Sequence, residues 1–315
     1  MERDLTTGSI GRNILKFSLP YFLSYFLQTL YGMADLFIIG QFNGVAVSIG
    51  SQVMHMITVM IVGIAMGTTV MIGKSVGAKQ KKETSKIIGN TVSLFVCLSV
   101  VLTVVLLFFV HPIVRIMSTP QQAVEGTTAY LTICFAGIPL ITAYNIISSI
   151  FRGLGDSKSP MYFIAVACGV NIVLDYVFIG ELHFGASGAA LGTTLAQTIS
   201  VIVALIAIRK KDTGISLKRS DLKPEGKTLK NILGIGIPIS LQDGFIQISF
   251  IVITIIVNQR GLNDAAAVGI VEKIISFVFL VPSSMLSAVS AIAAQNIGAG
   301  KDERATKTLK YAIMI

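Results

Sequence analysis

Residues 94–110 read Leu-Phe-Val-Cys-Leu-Ser-Val-Val-Leu-Thr-Val-Val-Leu-Leu-Phe-Phe-Val, with no charge anywhere in the run. The run is continuously apolar and shows none of the in–out alternation of a barrel strand. A helix that crosses ~30 Å of hydrocarbon needs roughly 20 such residues. Stretches of this kind recur at about 15–39, 48–73, 88–110, 128–150, 160–180, 187–208, 232–257 and 266–297, and residues 305–315 read as the start of a ninth. The expectation is an all-α polytopic membrane protein.

Composition agrees with that class. Of 315 residues, 53% are hydrophobic and 13% charged, and the mean hydropathy is +0.78. A soluble globular chain carries roughly 25% charged residues. Too little polar surface is left for a soluble enzyme, a disordered chain or a disulfide scaffold. Cys97, Cys134 and Cys168 all fall within apolar spans and read as packing residues. The polar start, followed by an apolar stretch longer than 20 residues, is not the pattern of a cleaved signal peptide.

The net charge of +9 is topogenic rather than a nucleic-acid footprint. Of 25 Lys and Arg, 22 lie before the first span or within 74–86, 152–158, 209–230 and 301–310. The alternate loops hold only Arg115 and Arg260, and Lys273 stands inside a span. Under the positive-inside rule this places the N-terminus and every basic loop in the cytoplasm. No nucleic-acid partner is expected.

The basic stretch 209–230 separates six spans, 1–208, from a segment at 231–315 that resembles the first. Asn13-Ile-Leu and Pro20 are matched by Asn231-Ile-Leu and Pro238. Ser75-Val-Gly-Ala-Lys79 is matched by Asn296-Ile-Gly-Ala-Gly300. Both copies begin on the same side of the membrane, so they are parallel repeats, and transporters place binding sites between such repeats. The chain stops at Ile315 in mid-helix, and the expectation is a chain cut short after about eight and a half helices.

Ionisable groups in lipid are expensive and therefore informative. Asp35 lies in the first span with nothing basic nearby in sequence. Asn171 and Asp175 stand one turn apart on the fifth span, followed by Tyr176. With Asp35 opposite, they form a candidate site for a proton or a hard monovalent cation. Asp243, beside Gln242 on the seventh span, and Glu272 with Lys273 on the eighth, are candidate cavity-lining groups or a self-satisfying ion pair. Pro20, Pro139, Pro238 and Pro282 are read as lying within helices, where they would kink them. No HExxH or GxSxG is present, the three histidines are scattered, and no catalytic residue, cofactor or resident metal is expected.

Four stretches in order resemble one family. Phe151-Arg-Gly-Leu-Gly-Asp-Ser-Lys-Ser-Pro160, Asn171-Ile-Val-Leu-Asp-Tyr-Val-Phe-Ile179, Phe184-Gly-Ala-Ser-Gly-Ala-Ala-Leu-Gly-Thr-Thr194 and Gln295-Asn-Ile-Gly-Ala-Gly-Lys301 are similar to the multidrug and toxic compound extrusion (MATE) transporters, most of all the DinF and MepA-like branch. The resemblance implies a bundle of twelve helices in two six-helix lobes, of which this chain has a complete N-lobe and part of a C-lobe. It implies export of lipophilic organic cations in exchange for H+ or Na+, by a monomer in the bacterial plasma membrane. It also implies cation coupling through Asp35, Asn171, Asp175 and, from the resemblance alone, Thr193. The rival expectations are a flippase for lipid-linked oligosaccharide or peptidoglycan precursors, whose cavity would be richer in buried Arg and Lys, and an inactive remnant.

Overall fold

A computed structural model describes residues 4–40, 45–210, 217–258 and 262–315; the side chains of Asp35, Glu272 and Lys273 fall outside the described residues. The helices run in the order α1 (Ile10–Gly40), α2 (Val45–Gly77), α3 (Lys81–Phe108), α4 (Val110–Ile116), α5 (Val124–Ala136), α6 (Ile138–Gly153), α7 (Lys158–Asp175), α8 (Gly185–Lys210), α9 (Gly226–Asn258), α10 (Leu262–Gly298) and α11 (Asp302–Met314). Among the described residues there is no strand.

Among the described residues six helices are long and apolar enough to cross a membrane, or seven if α5 and α6 together make one bent span. The expected first span lies in α1, whose 31 residues reach roughly 46 Å at 1.5 Å each. Some of its side chains lie outside the described residues, and it is not counted among the six. The expected fourth span is two helices bent by 48° at Gly137. Pro139 is therefore not interior as expected. It stands in the first turn of α6, where a backbone N–H has no intrahelical partner to lose. Pro20, Pro238 and Pro282 do lie inside α1, α9 and α10.

Exposed apolar side chains line one face of α3, where Val96, Val100, Val104 and Phe108 recur every four residues. The buried face of the bundle divides into clusters. One gathers Val47, Tyr130, Phe135 and Ile138 from α2, α5 and α6 with Ala189 and Ala190 of α8. Another sets Ile14, Phe17 and Tyr21 of α1 against Ala288, Ala291 and Ile292 of α10, and Leu5 caps it.

The end of the bundle that carries the basic loops is tightly knit. α2 packs on α9, and α1 on α10. At that end α2 and α10 meet through matching residues. A Cβ on Gly77 would overlap the Gln295 carbonyl, and a Cβ on Gly298 would overlap the Lys74 carbonyl. The turns that follow are copies. Ala78, Lys79 and Gln80 donate to the carbonyls of Lys74, Val76 and Ser75; Ala299, Gly300 and Lys301 donate to those of Gln295, Ile297 and Asn296. Lys79 and Gly300 both take the left-handed conformation, at φ 57° and 69°.

Two segments outside the α-helices lie across this end, and the second includes a 3-10 turn at Arg219–Leu222. Leu5 N donates to Gln295 Oε1 (3.2 Å), Lys301 Nζ to the Thr6 carbonyl (2.9 Å) and Arg304 Nη2 to the Thr7 carbonyl (2.9 Å). The stretch before α9 is held by α3. Glu225 N donates to Asn90 Oδ1 (2.6 Å), Asn90 Nδ2 to the Asp221 carbonyl (3.4 Å) and Ser93 Oγ to the Leu222 carbonyl (2.5 Å). Lys86 Nζ pairs with Glu225 Oε1 at 2.6 Å. The Lys86 hydrogen bond, with help from Thr228, holds the Glu225 carboxyl below the usual carboxylate range.

Candidate functional site

α7 and α8 pack on each other and both touch α1. Asn171 and Asp175 occupy successive turns of the buried side of α7, and both are 0% exposed. On α8 the buried residues Gly188, Ala189, Ala190 and Gly192 make a nearly side-chain-free surface that lets the two helices approach closely. At Gly192 a Cβ would overlap Asp175 Oδ1, so the carboxylate rests against the α8 backbone in space that only glycine leaves. Thr193, the next residue, is buried beside it.

A narrow cleft opens next to this contact, lined by Tyr31 of α1, Ile164, Ala167 and Cys168 of α7, and Thr193, Ala196 and Gln197 of α8. It has no room for an organic ligand. Asn171 Oδ1 and Nδ2, Thr193 Oγ1 and Gln197 Oε1 are buried and make no hydrogen bond among the described residues. Buried polar atoms in native proteins are nearly always paired, so an orphaned group of oxygens asks for an occupant. One carboxylate with several neutral oxygens suits a hard monovalent cation or a proton. Among the described residues, no group of three or more His, Cys, Asp or Glu is arranged to hold a metal ion.

Directly after Asp175 the helix widens, and Tyr176–Glu181 wind as a π-helical turn. Such turns are rare and frequent at functional sites. Tyr176 itself points outward at 63% exposure, away from the site to which its neighbour belongs.

The other expected site residues are placed as follows. Asp35 lies on α1 one turn beyond Tyr31, with its side chain outside the described residues. Glu272 and Lys273 lie on α10, and their side chains are likewise outside the described residues. Asp243 is half-buried and Gln242 exposed on α9, which packs on α2, α3 and α10, whereas α7 and α8 pack on α1, α5 and α6. Asp175 thus meets α8 at Gly192, with Asn171 one turn before it on α7 and Thr193 the residue after Gly192, and Asp243 and Gln242 belong to another part of the bundle.

Three residues of interest escaped the sequence reading. Gln197 follows Thr193 by one turn, a spacing that was visible. Gly192 lies within a quoted run of small residues, but its service to Asp175 depends on a contact between helices. Arg152 reads as a loop charge; it ends α6 instead, buried at 8% exposure with its guanidinium carbon 4.6 Å from the centre of the Tyr21 ring.

Comparison with known proteins agrees in sequence and in structure. The chain is 30% identical to the probable multidrug resistance protein YoeA of Bacillus subtilis, across 98% of this chain and 69% of that protein. It is 25% identical to the multidrug export protein MepA of Staphylococcus haemolyticus, over 98% and 69% of the two chains. A transporter of the MOP superfamily from Pyrococcus furiosus superposes with a TM-score of 0.92 at 27% identity, over 98% of this chain and 70% of that one. An outward-facing multidrug resistance MATE transporter of the same superfamily superposes with a TM-score of 0.90 at 26% identity, over 98% and 70%. The MatE family model matches residues 20–177 and 238–315, stretches that begin at Pro20 and at Pro238. This chain is an integral membrane protein and belongs to the MatE family of multidrug efflux transporters.

Proposed function

We propose that this protein exports lipophilic organic cations in exchange for H+ or Na+ by alternating access. The observation that carries the reading is the burial of Asn171 and Asp175 on α7 and of Thr193 on α8, where Asp175 meets the α8 backbone at Gly192. A carboxylate fully enclosed in an apolar bundle is costly when charged, and taking up a proton or a cation lowers that cost. Each such event changes the charge between α7, α8 and α1, and a charge change biases an equilibrium between two packings. Asp35, one turn past the cleft residue Tyr31, is assigned the partner carboxylate on α1.

In this reading residues 1–208 form a six-helix N-lobe, 209–230 a cytoplasmic linker and 231–315 part of a C-lobe. The protein works as a monomer in the bacterial plasma membrane with its basic end in the cytoplasm. Both docked segments and the α2–α10 contact lie at that end, which supports a conformation closed toward the cytoplasm. The flippase alternative requires several buried cations; among the described residues Arg152 is the one buried basic side chain.

The test is efflux of a fluorescent organic cation from cells lacking their own exporters, with proton and sodium gradients imposed separately. Efflux should follow one gradient and be lost in Asp175→Asn at unchanged membrane abundance. Full efflux in that variant would overturn the assignment of the site.

A further inference from the structure

A second cluster of buried polar groups lies between α1 and α6, and cation coupling makes no use of it. On α6, Tyr144, Ser148 and Arg152 recur at four-residue intervals and so share one face. Tyr21 of α1 stands against the Arg152 guanidinium, and Tyr25 and Tyr144 complete the ring of groups within its field. The hydroxyl of Tyr25 is tied to Ser287 of α10 at 2.9 Å. α1 and α6 are not among the closely packed helix pairs, so long side chains, rather than backbone contact, fill the space between them.

Among the described residues this cluster holds a cation and hydroxyls but no acid. Tyr21, Tyr144 and Ser148 are 1%, 2% and 1% exposed, and Arg152 is 8%. Arg152 Nε and the Tyr21 hydroxyl are buried with no hydrogen-bond partner among the described residues, and the Tyr144 hydroxyl lies within reach of Ser148 and Gln28. No carboxylate among the described residues pairs with Arg152. A guanidinium is never deprotonated in a protein and brings five N–H donors with no acceptor. The Tyr21 ring face attracts the charge but does not cancel it. The C-terminus of α6 supplies only a fraction of a charge. Water would satisfy hydrogen bonds and leave the full positive charge buried, which is the expensive part. What fits a fixed cation ringed by three buried hydroxyls, with no carboxylate beside it among the described residues, is a small anion.

We infer that Arg152, with the hydroxyls of Tyr21, Tyr144 and Ser148, binds a small inorganic anion of chloride size between α1 and α6. The consequence for transport is electrostatic. A bare positive charge held inside the bundle at its basic end would repel a cationic substrate approaching from that side, and a bound anion removes the repulsion. Binding itself does not depend on the coupling ion, so it is measured without transport.

The experiment uses the full chain, purified in neutral detergent. Thermal unfolding is followed while chloride replaces gluconate at constant ionic strength and pH. The wild type should show a saturable rise of roughly 5 °C, the size expected for a ligand that binds the folded state alone. Arg152→Gln should flatten the response. Tyr144→Phe and Ser148→Ala, which keep shape and packing, should raise the half-saturating chloride concentration several-fold. A wild type indifferent to chloride would overturn the proposal, as would a normal response in Arg152→Gln. Should that variant fail to fold, an unchanged half-saturation in both conservative variants overturns it equally. Repeating the titration in phosphatidylglycerol vesicles separates the sources of charge. A persisting chloride response supports the free anion, and its disappearance there would assign the site to a lipid phosphate and overturn the chloride assignment.

Discussion

At the scale of single residues, Asp175 and Gly192 work as one unit. Asp175→Asn keeps the shape of the side chain and removes its ability to exchange a charge. Efflux should fall at least ~10-fold, about 1.4 kcal/mol of barrier, with normal protein abundance. Gly192→Ala leaves the carboxylate in place chemically but intrudes on Asp175 Oδ1. Overpacking of this kind costs about 1–3 kcal/mol. Efflux should drop in Gly192→Ala, and coupling-ion protection against thermal unfolding should weaken with it; full activity in this variant would show that the contact does not matter. Asn171 and Asp175 could be found in the sequence because a polar pair one turn apart stands out against an apolar helix. Gly192 could not, because its role exists only where α7 meets α8. Arg152 misled for a similar reason. It lies among basic residues of a loop region, and only the tyrosines brought to it from α1 and α6 show that it is inside.

Elements were legible to the extent that hydropathy alone forms them. The long apolar runs of α2, α3, α7 and α8 stand close to where the sequence placed them, whereas the break between α5 and α6 at Gly137 did not show in a continuous apolar stretch. The basic segment before α9 reads as a free linker because its residues are polar, yet its latter part is docked on α3. Asn90 should hold it more firmly than the Lys86–Glu225 pair does. Asn90 is fully buried and serves both Glu225 N and the Asp221 carbonyl, and leaving such groups unpaired costs about 1–3 kcal/mol. The ion pair is 40% and 38% exposed and weakened by water and salt. Trypsin cleavage after Arg219, which Ser220 follows, should therefore accelerate strongly in Asn90→Ala and only slightly in Glu225→Gln. The reverse order would mean that charge, not the buried amide, docks the segment. The folded-state pKa of Glu225 is depressed, so the stabilisation it contributes is present above its unfolded value and is lost as pH falls through the depressed one. Neutral pH thus holds the pair at full strength, and Glu225→Gln mimics its loss.

Over the whole molecule, the proposed reading has charge set the orientation and close packing set which end is shut. In cells expressing a cysteine-free background, a cysteine at His183 should react with an impermeant thiol reagent from outside, and one at Lys218 only after permeabilisation. The opposite pattern would invert the topology. At the shut end, Gly77→Ala and Gly298→Ala each push a methyl group into a backbone carbonyl of the other helix, whereas Gly244→Ala meets only the flexible Met60 side chain. Spin labels on Lys79 and Lys301 should report a wider and broader distance distribution in the first two variants and an unchanged one in the third. Equal distributions in all three would remove the glycines from the closure. The α2–α10 contact has one more implication. Lys74 faces Gly298 as Gln295 faces Gly77, so the two surfaces are one pattern meeting its own copy, the geometry of an isologous interface between identical subunits. A surface complementary to its internal duplicate is complementary to itself. α2, taken alone, would thus carry both halves of a two-fold contact, and in the present chain α10 supplies the second half.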